Sequence, residues 1–173
     1  GNVSETAVDE AKTAVDAANK SGGKFIQVLG KLRTVADEFN EQKRDVEAQM
    51  SALTTQLSAL QQRLAAAAAR KAEEDAAERK AAEDAKREAD KAKGEADEAK
   101  DTYMASGNLN DAKEWEEKAR EAKERAESAV GAARNAYGVG SGNAKAAEAA
   151  SDEAKRKSRL ADEEKNKLEA AEN

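Results

Sequence analysis

The chain of 173 residues contains no cysteine, no histidine and no proline, and each absence excludes something. Without cysteine it can form no disulfide, no catalytic thiol and no thiolate zinc site. Without histidine it lacks the commonest general base and the commonest protein ligand for metals. Without proline no residue imposes a break on a helix, so the composition favours long, uninterrupted helices.

Large apolar and aromatic side chains are also scarce. Aromatic residues make up only 3% of the chain, so a globular core of ordinary depth is not expected. No apolar run approaches the ~20 residues that a membrane-spanning helix needs. Charged residues make up 38% of the chain, but both signs are mixed and the net charge is only -6. Because no face collects a basic stripe with aromatic residues between, we expect no nucleic-acid partner.

What the sequence does contain is a stripe of apolar residues with the period of a helix. Between Phe25 and Leu64 the steps alternate three and four residues, and only Lys43 interrupts them. This spacing is typical of a helix seam that contacts another helix. The seam comprises Phe25, Leu29, Leu32, Ala36, Phe39, Val46, Met50, Leu53, Leu57, Leu60 and Leu64. Alanine continues the pattern along most of the remaining chain, which permits close helix approach with modest burial per residue.

Turn signals divide the chain into four predicted helices, at about 3–20, 24–104, 108–137 and 143–171. The first is expected to end at Ser21–Gly23, because glycine adopts the left-handed conformation at little cost. Asn108 is expected to cap the third helix, and Asn143 the fourth, which follows the glycine-rich segment Gly138–Gly142. The apolar stripe shifts in phase over residues 64–82, which leaves the continuity of the second helix open.

These elements predict an all-α fold, with residues 1–173 forming one elongated, antiparallel, coiled-coil-like helical bundle. The ~80-residue helix is the expected spine, and the shorter helices return along it. We expect the first helix to pack on the spine near Phe25–Phe39. If both C-terminal helices return antiparallel to the spine, both chain termini lie opposite the turn at residues 105–108. The seam at Phe25–Leu64 is satisfied either within one chain or by a partner chain.

The sequence offers no constellation for catalysis. Carboxylates cluster at several places, but general acid–base chemistry needs one of them in an apolar pocket, and no pattern supplies such a pocket. The segment Gly138–Gly142 lacks the preceding strand and the Gly-Lys-Ser/Thr ending of a phosphate loop, so it is interpreted as a connector. We therefore expect no enzyme, no catalytic residue, no cofactor and no metal site.

Two other sets of residues are candidates for function. A candidate distal tip surrounds the 106–108 turn and comprises Tyr103, Met104, Ser106, Gly107, Asn108 and Leu109. Tyr103 and Met104, with Trp115, either touch a ligand or close the end of a thin core; the place of Trp115 on the predicted buried stripe favours closure. Asn2 and Asn19 begin glycosylation acceptor sequences, which matter only in a secreted protein.

A chain without cysteine or proline, with runs such as Ala65–Lys71 and Glu73–Glu78, resembles the glutamic acid/alanine-rich surface protein of African trypanosomes. That family coats insect-stage cells, and the resemblance is one of composition over the whole chain. It implies an elongated helical ectodomain, similar in shape to the core of variant surface glycoproteins. It also implies a C-terminal glycosylphosphatidylinositol (GPI) anchor on the extracellular face of the plasma membrane.

The function implied by this resemblance is that of a non-enzymatic coat protein, which forms a protective or host-interaction layer on a parasite membrane. Its partners would be the membrane, through the lipid anchor, and neighbouring copies or a host ligand. Two alternatives stay open. One is a surface receptor or adhesion rod that binds a host ligand at its tip or flank, and the other is an intracellular coiled-coil scaffold.

Overall fold

The computed structural model describes residues 2–173, with side chains described from residue 5 onward. It contains three helices, α1 (Asn2–Ser106), α2 (Leu109–Tyr137) and α3 (Gly142–Glu172). The described residues include no strand, which confirms the predicted all-α class: one long helix packs with two shorter ones. The chain divides into two units, Gly1–Leu64 and Ala65–Asn173, and each is described by itself.

The first unit is a single helical segment, and the predicted break at Ser21–Gly23 is wrong. Neither Gly22 nor Gly23 adopts a positive φ, so no left-handed cap forms there. A glycine inside a helix costs about 1 kcal/mol relative to alanine, whereas ending one helix and nucleating another carries a larger penalty. The heptad spacing from Val15 to Phe25 also passes through the two glycines without a change of phase, as one continuous helix requires.

Because residues 3–20 belong to the same helix as the seam, they cannot fold back to cover it. The structure therefore contradicts the expected packing near Phe25–Phe39. Phe25 is 64% exposed and Leu57 is 56% exposed, and the other large seam residues are also exposed. The sequence left open whether the helix is continuous over residues 64–82. In the structure the helix continues through them without interruption.

The second unit is a three-helix bundle in which α2 runs antiparallel to the end of α1. The chain reverses at Gly107 and Asn108, which places Trp115 of α2 against Tyr103 of α1. One turn further along α2, Lys118 pairs with Glu95, which lies earlier in α1, at an N–O distance of 3.7 Å. As residue numbers rise along α2, the residue numbers of its partners in α1 decrease. The antiparallel return predicted for this helix is therefore confirmed.

The third helix reverses direction again and runs parallel to α1. Lys157 contacts Asp97 at 3.2 Å, and further along both helices the Tyr103 hydroxyl contacts Glu164 at 3.1 Å. Residue numbers rise together, so the expectation that α3 continues the antiparallel return is wrong. The four-residue connection Gly138–Ser141 between α2 and α3 forces this reversal. As a result, α3 ends beside the 106–108 turn and not at the opposite end of the bundle.

The core of the Ala65–Asn173 unit consists almost entirely of alanine. Among the described residues, Tyr103 and Trp115 are the only buried apolar residues that are not alanine. The buried alanines are Ala82, Ala92, Ala96, Ala112, Ala119, Ala122, Ala126, Ala129, Ala133, Ala144 and Ala161. The stripe predicted for α2 is buried from Ala112 to Ala133, and the last member, Ala136, is half-buried. Small side chains let the three helices approach closely around a narrow core.

Both connections of the bundle use the turn chemistry of capped helices. Gly107 has φ +64° and precedes Asn108, whose side-chain oxygen accepts a 2.8 Å hydrogen bond from the backbone N–H of Asp111, as predicted. Gly138 has φ +95° and follows the last residue of α2. The cap of α3 is Ser141, whose hydroxyl accepts a 3.1 Å bond from Ala144 N–H, so the assignment of Asn143 as the cap is wrong.

Candidate functional site

The largest buried side chains form a stacked aromatic pair near the 106–108 turn. Trp115 is 4% exposed and Tyr103 is 8% exposed, and their ring centroids lie 5.4 Å apart with 21° between the planes. The ammonium group of Lys100 lies 5.9 Å from the centroid of the Trp115 ring, within the range of a cation–π interaction. These contacts turn both rings towards the interior, where they close the end of a core otherwise built from alanine.

The Tyr103 hydroxyl connects α1 to α3. It donates a 3.1 Å hydrogen bond to a carboxylate oxygen of Glu164. Burial raises the pKa of the Tyr103 phenol above its ordinary value of 10.0, and the hydrogen bond and negative charge of Glu164 raise it further. The hydroxyl is therefore a neutral donor at ordinary pH, and it fixes the parallel register of the two helices.

The six residues of the candidate tip lie at one end of the bundle but differ in their surroundings. Tyr103 is buried, Met104 is 62% exposed and Leu109 is half-buried. Ser106 ends α1, and its hydroxyl bonds the Asp111 carboxylate. With Gly107 and Asn108, these residues form a well-bonded turn between helices. A role for this end in touching a ligand stays a prediction.

The position of this end relative to the C-terminus differs from the prediction. Because α3 runs towards the 106–108 turn, Leu168 packs against the same core cluster as Trp115. An anchor attached after Asn173 would therefore lie at the same end of the bundle as the turn, and the turn would not be distal. The opposite end of the bundle carries the Gly138–Ser141 connection, where Val139 is exposed.

Ion pairs join the helices across the flank of the bundle. The Lys157 ammonium lies 3.2 Å from Asp97 of α1 and 3.2 Å from Glu153 of its own helix. Burial lowers the pKa of Lys157, but the hydrogen bonds to both carboxylates outweigh it, and the net pKa is raised. The hydrogen bond from Lys157, with the charges of Lys157 and then Lys93, holds the pKa of Glu153 below its usual value. Sequence reasoning missed this network, because it links residues 60 positions apart.

Beside these ion pairs lies a small groove with a volume of about 90 Å³. Alanines such as Ala96 and Ala122 line it together with Trp115, and lysines and carboxylates form its rim. Small-molecule sites are typically ~300–1,000 Å³, so this groove is too small to enclose a substrate. The rim lysines Lys93 and Lys157 are paired with carboxylates, so the groove presents a neutralised edge.

The residues that the structure describes contain no cluster of three or more carboxylate, histidine or cysteine side chains that could hold a metal ion. In the same part of the chain, no helix is both long and apolar enough to cross a membrane. Asn19 lies exposed within α1, whereas the side chain of Asn2 is outside the described residues. Glycosylation at either position stays a prediction.

The largest apolar surface that the structure leaves open is the seam of the first unit. From Val8 to Leu64 its large residues point out of a helix that has no covering element within that unit. The sequence identified the part of this stripe from Phe25 to Leu64 but left its partner undecided. Comparisons with protein-family models, with curated proteins and with solved structures found no match to the chain.

Proposed function

We propose that this chain is a non-enzymatic structural protein of a cell-surface coat, carried on a parasite membrane by a C-terminal lipid anchor. The observation that carries the proposal is the alanine core of the Ala65–Asn173 bundle. A core of this kind gives each copy a small cross-section, because helices that meet through alanine approach closely. Narrow bundles allow many copies to stand side by side, as a protective layer requires.

The surface charge of the bundle supports the same use. Acidic and basic side chains alternate along its flanks and pair across them, for example Arg134 with Glu148 at 2.8 Å and Lys155 with Glu127 at 3.9 Å. A mixed-sign surface with a modest net charge keeps densely packed neighbours soluble without strong mutual repulsion. The compositional resemblance to the glutamic acid/alanine-rich surface protein of trypanosomes supports the parasite setting.

The parallel direction of α3 revises the orientation within such a coat. With an anchor after Asn173, the 106–108 turn faces the membrane side of the bundle, and the Gly138–Ser141 connection faces away from it. Exposed Val139 and its neighbours then belong to the surface that antibodies and host tissue meet. The receptor alternative would need a ligand site, and two grooves of the bundle, of about 90 and 210 Å³, are both smaller than the ~300–1,000 Å³ of typical small-molecule sites.

The test is accessibility on living cells. A short epitope inserted between Val139 and Gly140 should be stained by antibody on intact cells expressing the full-length gene. Phospholipase C specific for phosphatidylinositol should release the protein, and the heat-inactivated enzyme should not. Staining that appears only after permeabilisation would contradict the coat and support the second candidate, an intracellular scaffold, for which the exposed seam would serve equally well.

A further inference from the structure

The exposed stripe of α1 keeps one heptad phase from Val8 to Leu64, although Gly22 and Lys43 occupy two of its positions. With heptad positions lettered a to g, Leu29, Met50, Leu57 and Leu64 occupy position a, and Leu32, Leu53 and Leu60 occupy position d. The repeat continues backwards through Gly22 and Ala18 to Val15 and Val8 without a change of phase. A stripe with a period of 3.5 residues is the pattern of a coiled-coil strand that lacks its partner.

The apolar area along the seam matches the requirement of a stable interface. Complete burial of a Leu-sized side chain is worth about 1.5–3 kcal/mol, which corresponds to roughly 60–120 Å² at 25 cal/mol per Å². The large seam residues are between 40% and 65% exposed: Val8, Val15, Phe25, Leu29, Leu32, Phe39, Val46, Met50, Leu53, Leu57, Leu60 and Leu64. Together they present on the order of 700 Å² per chain, close to the ~800 Å² per partner of a standard interface.

We propose that the occupant of this seam is a second copy of the chain, paired parallel and in register as a two-stranded coiled coil over residues 8–64. The other helices of the chain are already engaged, because α2 and α3 bury their own alanine stripes in the Ala65–Asn173 core. Identical helices in register bring each seam residue opposite itself, so Leu57 of one copy meets Leu57 of the other. Such a two-fold interface closes on itself and needs no further partner.

The extent of the stripe selects the parallel direction. An antiparallel pair could overlap Phe25–Leu64 of one copy with the same segment of the other. It would then place Val15 opposite Glu74 and leave the N-terminal heptads facing polar residues. The parallel pair keeps Val8 and Val15 on apolar partners, and the seam ends at Leu64 in both copies at once. Apart from Gly22 and Lys43, which meet their own copies at position a, apolar residues pair along the whole seam only in the parallel arrangement.

The flanking charges permit self-association. Position g of one helix lies beside position e of the next heptad in a parallel partner. Over residues 8–64 none of these g–e pairs brings like charges together, and Gln42–Glu47, Gln49–Thr54 and Gln56–Gln61 are representative. Most charged residues of the segment, such as Asp37 and Arg44, occupy the outer positions b, c and f.

Lys43 favours a dimer over larger assemblies. It is the only charged residue at position a or d between Val8 and Leu64. A single lysine at position a reduces stability but favours two strands in one register. In a two-stranded coil the side chain can reach the flank, where Glu47 lies four residues further on. Larger assemblies would enclose the ammonium groups more deeply, which is costly.

The absence of cysteine makes cross-linking a direct test on the full 173-residue chain. Under mild oxidation, Leu53→Cys at position d should form a disulfide-linked dimer, because in-register d positions lie within disulfide reach. Ser51→Cys, on the outer face of the same turn, is the matched control and should stay monomeric under denaturing conditions. Cross-linking of Leu53→Cys only when mixed with Ala36→Cys would overturn the parallel direction, because those two positions meet in the antiparallel overlap.

Sedimentation equilibrium tests the assembly size and the role of the seam. The unmodified chain should have the mass of a dimer, and a monomer at all concentrations or a trimer would overturn the proposal. Leu57→Ala should weaken dimerisation roughly 30-fold or more, whereas neighbouring Ser58→Ala should leave it unchanged. Lys43→Leu should tighten association about tenfold or more. Weaker association in that variant would contradict the register. The proposal does not rest on the surface location, because a chain confined to the cell interior would present the same seam.

Discussion

Replacement of Trp115 by alanine should remove the main support of the Ala65–Asn173 bundle. Burial of an aromatic ring normally contributes so much that its replacement by alanine costs about 3–5 kcal/mol. The neighbours of Trp115 along α2 are Ala112, Ala119 and Ala122, which are too small to fill the space that the ring leaves. The substitution also removes the stack on Tyr103, worth about 0.5–1.5 kcal/mol of that total. We therefore expect a loss of about 4 kcal/mol.

Hydrogen exchange followed by mass spectrometry is the appropriate assay, because the two units need not unfold together and a single melting curve would mix them. Peptides covering Ala119–Ala133 of α2 report the opening of the bundle directly. A loss of 4 kcal/mol corresponds to roughly a thousand-fold faster exchange through global opening of that unit. Peptides covering residues 25–64 should show no change of that size.

Two further variants serve as controls for Trp115→Ala. Trp115→Phe keeps an aromatic ring against Tyr103 and should cost only about 1–2 kcal/mol. Met104→Ala changes a large side chain that is 62% exposed, one residue from Tyr103, and should stay within about 0.5 kcal/mol. A loss below ~1 kcal/mol for Trp115→Ala would refute the reasoning, because it would mean that the alanine seams hold the bundle without the aromatic pair.

In a Tyr137→Phe variant, which leaves Tyr103 as the only tyrosine, the midpoint of the tyrosinate absorbance titration should lie above pH 10.0, because burial and then Glu164 raise the Tyr103 pKa. The Tyr103 contribution to stability should be present below pH 10.0 and should be lost as pH rises through the raised pKa; a midpoint at or below pH 10.0 would contradict it. The hydrogen bond from Lys157 lowers the pKa of Glu153. The contribution of Glu153 to stability is therefore present above pH 4.5 and is lost as pH falls through the lowered pKa. Acid titration of stability should be flatter in Glu153→Gln, and an unchanged profile would count against the ion pair. Gly22→Ala should stabilise α1 by up to about 1 kcal/mol, since a Cβ there meets no neighbour. Gly107→Ala should destabilise the bundle because of its φ of +64°. Hydrogen exchange of peptides from each unit checks both signs, and an effect of the opposite sign at either glycine would contradict the reasoning.

Local features of the fold were predictable from the sequence because they depend on neighbours in the chain. The Asn108 cap followed from an asparagine placed before a periodic stripe, and the burial of Trp115 followed from its position on that stripe. The predicted helix break at Ser21–Gly23 is wrong, although it was also inferred from neighbouring residues in the sequence. Two glycines permit a helix end but do not impose one, and a continuous heptad pattern on both sides outweighed them.

The candidate site was predictable only in part. The seam from Phe25 to Leu64 could be read from spacing alone, but its exposure could not, because burial depends on which helices return to cover it. Leu53, Leu57 and Leu60 are exposed, so burial of the seam within one chain, the first of the two alternatives, does not occur. The Lys157 network was also beyond the sequence, since a pairing of residues 60 positions apart requires the direction and register of α3.

By itself, the sequence determined that the chain is helical, that alanine forms its internal seams, and that Asn108 ends one turn. These properties are set by backbone propensity and by side-chain periodicity within a few residues. Only the tertiary structure decided that α3 runs parallel to α1 and ends beside the 106–108 turn. The physical reason is that an alanine stripe fits another alanine stripe in either direction. The direction of α3 is decided instead by the short Gly138–Ser141 connection. The few long side chains that join the helices at one register, such as Tyr103 with Glu164, also contribute.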